Sequence, residues 1–412
     1  MLRLSSFMLL VMVAPASAED WPEFRGPDGQ GHYAGKGLAL EWTTTKNVAW
    51  KQAIPGLGWS SPIVLNGRVY LTNAVPIPGV KDQSLSATCL DAATGKTLWA
   101  TEVFLQVGAK SPGIHNKNSH ASPTPITDGK HLYVHFGHQG TASLDLDGKI
   151  VWKQTDLRYG PVHGNGGSPI LVGDKLVYSA DGGDKQFIVA LDKANGKVAW
   201  KTDRKITFGN KFSFSTPLLI TVNGKQQIIS PASGACIAYD PADGKEIWRA
   251  GYDGYSVIPR PVFGHGMVFV SSSFNTAKIL AIRVDGQGDV TKTHIAWSLA
   301  KGAPHSPSLL LVGDELYGVS DRGLASCLDA RTGKPHWQER VGGAQFSASP
   351  VYADGKVYFL SEEGMTTVVK AAKEFEKLAT NDVKEKTLAS FAIADRAIYL
   401  RTESSLYRIQ AK

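Results

Sequence analysis

The residues best suited to chemistry lie in three short segments. "IHNKNSHAS" (114–122) packs His115, Asn116, Lys117, Asn118 and His120 into one loop, "VHGNGG" (162–167) adds His163 and Asn165, and "APHSP" (303–307) adds His305. Arg260 opens "RPVFGHGMVFV" (260–270). Imidazoles, amides and a guanidinium suit an anionic or polyhydroxylated ligand, with Arg260 supplying paired donors. The structural alternative is that these His and Asn side chains satisfy the backbone of their own loops. A metal reading of His115 and His120 lacks a carboxylate between them. Asp181, Asp184, Asp321, Glu362 and Glu363 carry no signature spacing. No Walker motif, G-x-S-x-G elbow or HExxH is present, and no Ser-His-Asp set stands out. No residue is therefore assigned a catalytic role.

A repeat must position these segments. "CLDAATGKTLW" (89–99) returns as "ALDKANGKVAW" (190–200), "AYDPADGKEIW" (238–248) and "CLDARTGKPHW" (327–337). Tryptophans recur at Trp50, Trp99, Trp152, Trp200, Trp248, Trp297 and Trp337, and a degenerate copy puts Leu378 in the same place. Ahead of each phrase runs a Ser-Pro or close variant, a short strand, a Gly turn and a second strand, as in "SSPIVLNGRVYLTN" (60–73). A period of 40–53 residues built of strands and turns marks a β-propeller with one four-stranded sheet per repeat. In the phrase, Asp caps the turn, Gly takes the left-handed conformation, and Trp ends the outer strand against the neighbouring sheet.

The count is seven full sets and an eighth that ends after three strands. The missing strand must be "NVAWKQA" (47–53), which has no earlier strands of its own. The expectation is an all-β, eight-bladed propeller of four-stranded antiparallel blades, closed by pairing its N-terminal strand with the last blade. The chain then divides into a leader (1–18), a lead-in (19–46) and a single propeller (47–410). Short turns occupy one face of the ring. The long connections, 73–87, 102–122, 155–168 and 271–277, share the other, and all nine candidate residues belong to that long-loop face or the channel beside it.

The in-register "LDxxxGKxxW" phrase resembles the repeat of the pyrroloquinoline-quinone-type propellers. That group holds quinoprotein alcohol dehydrogenases and the propeller lipoprotein of the outer-membrane β-barrel assembly machinery. The resemblance covers about residues 47–410, and "WPEFRGPDGQG" (21–31) is similar to the lead-in of secreted bacterial propellers with this repeat. It implies the fold, and two contrasting functions. A dehydrogenase would need pyrroloquinoline quinone with Ca²⁺, yet the chain lacks the adjacent Cys-Cys and the long inserts of those enzymes. A lipid-anchored scaffold would need a Cys near the leader junction, and none is there.

Arg3, the apolar run 4–13 and the small residues Ala16 and Ala18 form a secretory leader, with cleavage expected near Ala18. Cys89, Cys236 and Cys327 have no paired spacing, so buried free thiols are expected. The net charge of +7 is spread without a basic stripe, which argues against nucleic acid. The leading expectation is an exported, non-catalytic, monomeric scaffold without a cofactor or membrane anchor, in the periplasm or outside the cell. It would bind a protein, an envelope polymer or a small polar ligand through the long-loop face. The alternatives are a quinone- and Ca-dependent alcohol or sugar dehydrogenase and an outer-membrane assembly scaffold.

Overall fold

The computed structural model describes residues 20–108 and 113–411. The expected leader 1–18 and residues 109–112 of the first long connection lie outside the described residues. Eight antiparallel sheets form the ring, and among the described residues there is no α-helix. The chain is an eight-bladed β-propeller. Blade one runs from the channel outward through Ile63–Leu65, Arg68–Pro76, Gln83–Asp91 and Thr97–Gln106. The other blades repeat that order. Blade eight is completed by Val48–Ala53, which pairs antiparallel with Ser405–Gln410 and places Trp50 opposite Arg408.

Burial follows the pleat and the stacking. The second and third strands of each blade are buried nearly throughout, because both faces pack on neighbouring blades, whereas outer strands such as Val48–Ala53 alternate. Among the described residues, seven apolar clusters fill the spaces between blades.

The Trp and the Gly of the repeated phrase work as a pair across blades. A side chain on Gly196 would fall within 2.5 Å of the Trp152 ring, one on Gly244 within 2.4 Å of Trp200, and one on Gly333 within 2.6 Å of Trp297. These glycines also hold φ of 74°, 71° and 72°, so the position excludes a Cβ twice over. The indole then donates to a carbonyl of the same turn: Trp152 Nε1 to Lys193 O at 2.9 Å, and Trp200 Nε1 to Pro241 O at 3.0 Å. The Asp caps as expected, with Asp91 Oδ1 accepting from the Thr94 N–H and hydroxyl, both at 2.7 Å. Trp248 departs from the pattern and donates to Gln227 Oε1 at 3.0 Å. The insertion of the fifth blade explains why: its Gly288–Asp289 strand pairs parallel with the outer strand Glu246–Gly251, at Trp248 and Arg249.

Cys89, Cys236 and Cys327 are free and buried. Burial pushes their thiols up to about 12, 12 and 11, which keeps them protonated and unreactive.

Candidate ligand-binding site

The Ser-Pro motif builds the inner ring. Its hydroxyl accepts the backbone N–H of the blade before: Ser61 N donates to Thr124 Oγ1 at 3.0 Å, Thr124 N to Ser168 Oγ at 2.9 Å and Ser168 N to Thr216 Oγ1 at 2.9 Å. On the other side Arg260 N donates to Ser308 Oγ at 3.0 Å, Ser308 N to Ser349 Oγ at 3.0 Å and Ser349 N to Ser390 Oγ at 2.9 Å. Among the described residues, six such hydroxyls link the inner strands of blades one to four and of blades five to eight around the channel.

Arg260 replaces the hydroxyl in blade five and does something else. Its Nε donates to Pro217 O at 3.0 Å, Nη1 to Phe24 O at 2.5 Å and Nη2 to Glu23 Oε2 at 2.9 Å. The side chain is buried, and its donors go to the lead-in and to blade four rather than to the cavity. Burial raises the Glu23 carboxyl above the ordinary carboxylate range, and the Arg260 charge offsets only part of that rise. The lead-in is threaded across the channel. Trp21 exchanges two backbone hydrogen bonds with Val64, the Thr127 N–H donates to Pro22 O, the Phe263 N–H to Gln30 Oε1 at 2.6 Å, and the Tyr352 N–H to Gly31 O. His32–Tyr33 then adds in parallel to the inner strand Val351–Ala353. Contacts with blades one, two, five and seven make the lead-in a plug.

Above the plug, on the long-loop face, the channel opens as a cavity of about 360 Å³ with Phe24 in its lining. This is within the usual range of small-molecule sites. One side of its mouth is an arc of aromatic rings drawn from successive connections. His115 and His163 meet edge to face at 5.6 Å, His163 and Phe212 at 5.3 Å, and Phe212 and Tyr255 at 5.8 Å. Tyr255 and Phe274 follow at 6.2 Å, and Phe274 stacks on His305 at 5.0 Å. Phe274 is 40% exposed at the mouth. On the opposite side Lys117 Nζ reaches from the first long connection to Glu362 Oε1 of blade seven at 2.8 Å, and the Ser347 hydroxyl donates to the same oxygen at 2.6 Å.

The structure brings four of the nine sequence candidates into the lining: His115, Lys117, Asn118 and His163. Asn118 is held by its own loop, donating to His163 O at 2.8 Å and accepting from Ser119 N and the Ser122 hydroxyl. His115 Nδ1 accepts from Lys117 N at 3.2 Å, which in the neutral ring leaves the proton on Nε2. His305 joins the arc through Phe274, and its backbone N–H donates to Asp321 Oδ2 at 2.6 Å. Asn116 is exposed. Asn165 is buried, accepting from the Tyr159 hydroxyl at 2.9 Å and donating toward His138 Nδ1 at 3.2 Å. His120 contacts Gln106 at 3.0 Å, and burial lowers its basicity. Sequence reasoning missed Phe24, Phe212, Phe214, Tyr255 and Phe274. The aromatic density of "FGNKFSF" (208–214) and the "YDGYS" (252–256) ahead of Arg260 were the available signals.

A family model described as outer membrane protein assembly factor BamB matches residues 80–203 and 184–412. The chain belongs to the BamB family. Among curated relatives, BamB of Yersinia pestis is 26% identical over 214 residues, which is 47% of this chain and 51% of that protein. BamB of Burkholderia pseudomallei is 25% identical over 231 residues, 55% of this chain and 51% of the relative. The matched region thus spans about half the length of each relative. Among solved structures, BamB from Moraxella catarrhalis superposes with a TM-score of 0.63 at 12% identity, covering 89% of this chain and 97% of that one. Quinohemoprotein alcohol dehydrogenase from Comamonas testosteroni gives 0.56 at 12% identity, covering 96% and 81%. At such identities both likenesses are of fold alone.

The dehydrogenase neighbour raises the question of whether this BamB-family pocket suits a quinone. Pyrroloquinoline quinone is a tricarboxylate and calls for cations in its site. Here Arg260 is matched by Glu23 and Lys117 by Glu362. The loop carboxylates that could hold Ca²⁺ are also engaged. Asp181 forms a buried pair with Arg204, Asp184 accepts from Gly160 N and Lys185 N, Asp321 from His305 N, and Glu363 from Ala344 N. Among the described residues no three His, Cys, Asp or Glu side chains converge as a metal-binding group. The residues present do not fit the quinone and its cation.

Proposed function

We propose that the protein is an exported, non-catalytic binding scaffold that engages its ligand or partner through the cavity and rim of the long-loop face. The observation that carries this reading is the blind pocket: the lead-in plugs one end of the channel, and at the other end the arc from His115 to His305 borders an opening whose charges are already matched. Such an arrangement suits holding a ligand, with the lysine and the carboxylate at its rim paired to each other. The secretory leader supports export. Membership of a family described as assembly factors supports a protein partner in the cell envelope, and it favours the outer-membrane assembly scaffold among the more specific readings.

Site-specific photo-crosslinking in the producing cell tests the proposal. A photoreactive residue in place of Phe274, at the rim, is expected to give adducts. One in place of Leu98, exposed on the outer edge of blade one, is expected to give none. Adducts at Leu98 with none at Phe274 would move the binding surface to the flank and overturn the reading.

A further inference from the structure

The ring hydroxyls are half used. Those of Thr124, Ser168, Thr216, Ser308, Ser349 and Ser390 each accept one backbone N–H, yet among the described residues none donates its own proton to a protein acceptor. Ser61 sits in the same ring, and among the described residues its hydroxyl has no hydrogen-bond partner. All seven residues line the cavity and are at most 6% exposed. The cavity opens to solvent at the long-loop face, so these donors face water, and a ligand that displaces that water must supply acceptors in its place.

Three properties limit what that ligand is. The hydroxyls offer protons and keep a second lone pair, so the ligand must carry oxygens that accept and donate. The wall offers aromatic rings, with Tyr255, Phe274 and His163 presenting apolar surface at the mouth, so the ligand must also have an apolar face. The charges at the cavity are matched within the protein, Lys117 by Glu362 and, at the floor, Arg260 by Glu23, so the ligand needs no net charge. An apolar peptide side chain would leave the hydroxyls unmet, and an anion would find no uncompensated cation. A pyranose meets all three conditions: hydroxyls around its edge, C–H groups on its faces and no charge. The rim is held for such a role by backbone that most side chains avoid, with φ of 64° at His163, 55° at Ser256, 59° at Ser273 and 80° at Asn275.

We propose that the blind cavity is a binding site for a neutral saccharide, either a free sugar or the end of an envelope glycan, with its face against the aromatic arc and its edge on the hydroxyl ring. The proposal rests on the long-loop face being the binding surface, and it names the ligand class of that face.

The test is a calorimetric titration of the full chain, with tryptophan fluorescence as a second readout because Trp59 lines the cavity. The probes are glucose, galactose, mannose, N-acetylglucosamine, cellobiose and chitobiose, with galacturonate and glucose 6-phosphate as anionic counterparts. Saturable one-to-one binding of a neutral sugar is expected. Phe274→Ala and Tyr255→Ala should weaken it about tenfold or more. Ser61→Ala should weaken it about three- to tenfold, with the melting temperature unchanged because that hydroxyl supports nothing else in the ring. A disaccharide that binds more tightly than its monosaccharide would identify a polymer end as the source, and equal affinity a free sugar. Absence of saturable binding across the neutral panel, tighter binding of an anionic counterpart, or affinity untouched by all three variants would overturn the proposal. Protein adducts at Phe274 in the crosslinking experiment would in that case leave the scaffold reading standing. Loss of both results would remove both.

Discussion

At the scale of the residue, the repeated phrase is a docking rule that five tryptophans follow: Trp50, Trp99, Trp152, Trp200 and Trp297 each pack over a glycine of the next blade. Trp200 is 8% exposed, packs over Gly244 and donates to Pro241 O. Trp200→Ala should cost about 3–5 kcal/mol and lower the thermal midpoint, and an unmoved midpoint would contradict the packing role. The same reasoning identifies a position where the sequence falls short of its own pattern. The hairpin of blade eight has Asp395-Arg396 where each of the other seven has a glycine in the turn pair, and both residues hold positive φ, 48° and 58°. Tyr33 of the lead-in steadies that turn by accepting the Arg396 N–H at 2.9 Å. Arg396→Gly removes the strain and should raise stability by up to about 1 kcal/mol, as denaturant unfolding would show. The missing Gly was legible in the sequence. The compensating Tyr33, 363 residues away, was not, because nothing local signals it.

At the scale of the element, closure of the ring depends on one borrowed strand and one carboxylate that clasps it. Glu385 binds Lys51 of Val48–Ala53, accepts from the Tyr407 hydroxyl of Ser405–Gln410 at 2.6 Å, and from Thr402 at 2.6 Å. Burial alone would raise its carboxyl, but these partners together outweigh it and hold the group at about 2. The sign follows from linkage. With the folded value below the unfolded one, the stabilisation is full above the ordinary carboxylate range and is lost as pH falls from about 4.5 toward 2. Glu385→Gln should therefore be less stable at pH 7 and show a shallower loss of stability across that acid window, measured by unfolding at a series of pH values. A slope equal to that of the parent protein would contradict the clasp. Deleting 48–53 should open blade eight and lower the melting temperature by several degrees or more, whereas unchanged stability would refute closure by this strand. The closing strand was legible because the count of strands came out one short. The clasp was not, because Glu385 lies in a connection with no repeat to compare it with.

At the scale of the whole molecule, the ring was legible because each blade makes its defining contacts with the next, about 40–50 residues along the chain, so the constraints recur in register. The site was legible only in part. His115, Lys117, Asn118 and His163 stand out as a polar cluster and do line the cavity. The aromatic arc is assembled from six separate connections, and its members are ordinary one at a time. Arg260 was conspicuous as a break in the Ser/Thr pattern, but its partners Glu23 and Phe24 lie 236 and more residues away. The lead-in has no periodicity from which its plugging role could be deduced. The resulting picture is a closed BamB-family ring with one end of its channel sealed and the other lined for binding, with its charges matched from within. The measurement that tests this most directly is a calorimetric titration of the full chain with pyrroloquinoline quinone, with and without Ca²⁺. A scaffold with no uncompensated cation in its pocket predicts no saturable heat in either condition. Stoichiometric, Ca²⁺-dependent binding at micromolar affinity or tighter would contradict it and make the protein a quinone-dependent oxidoreductase.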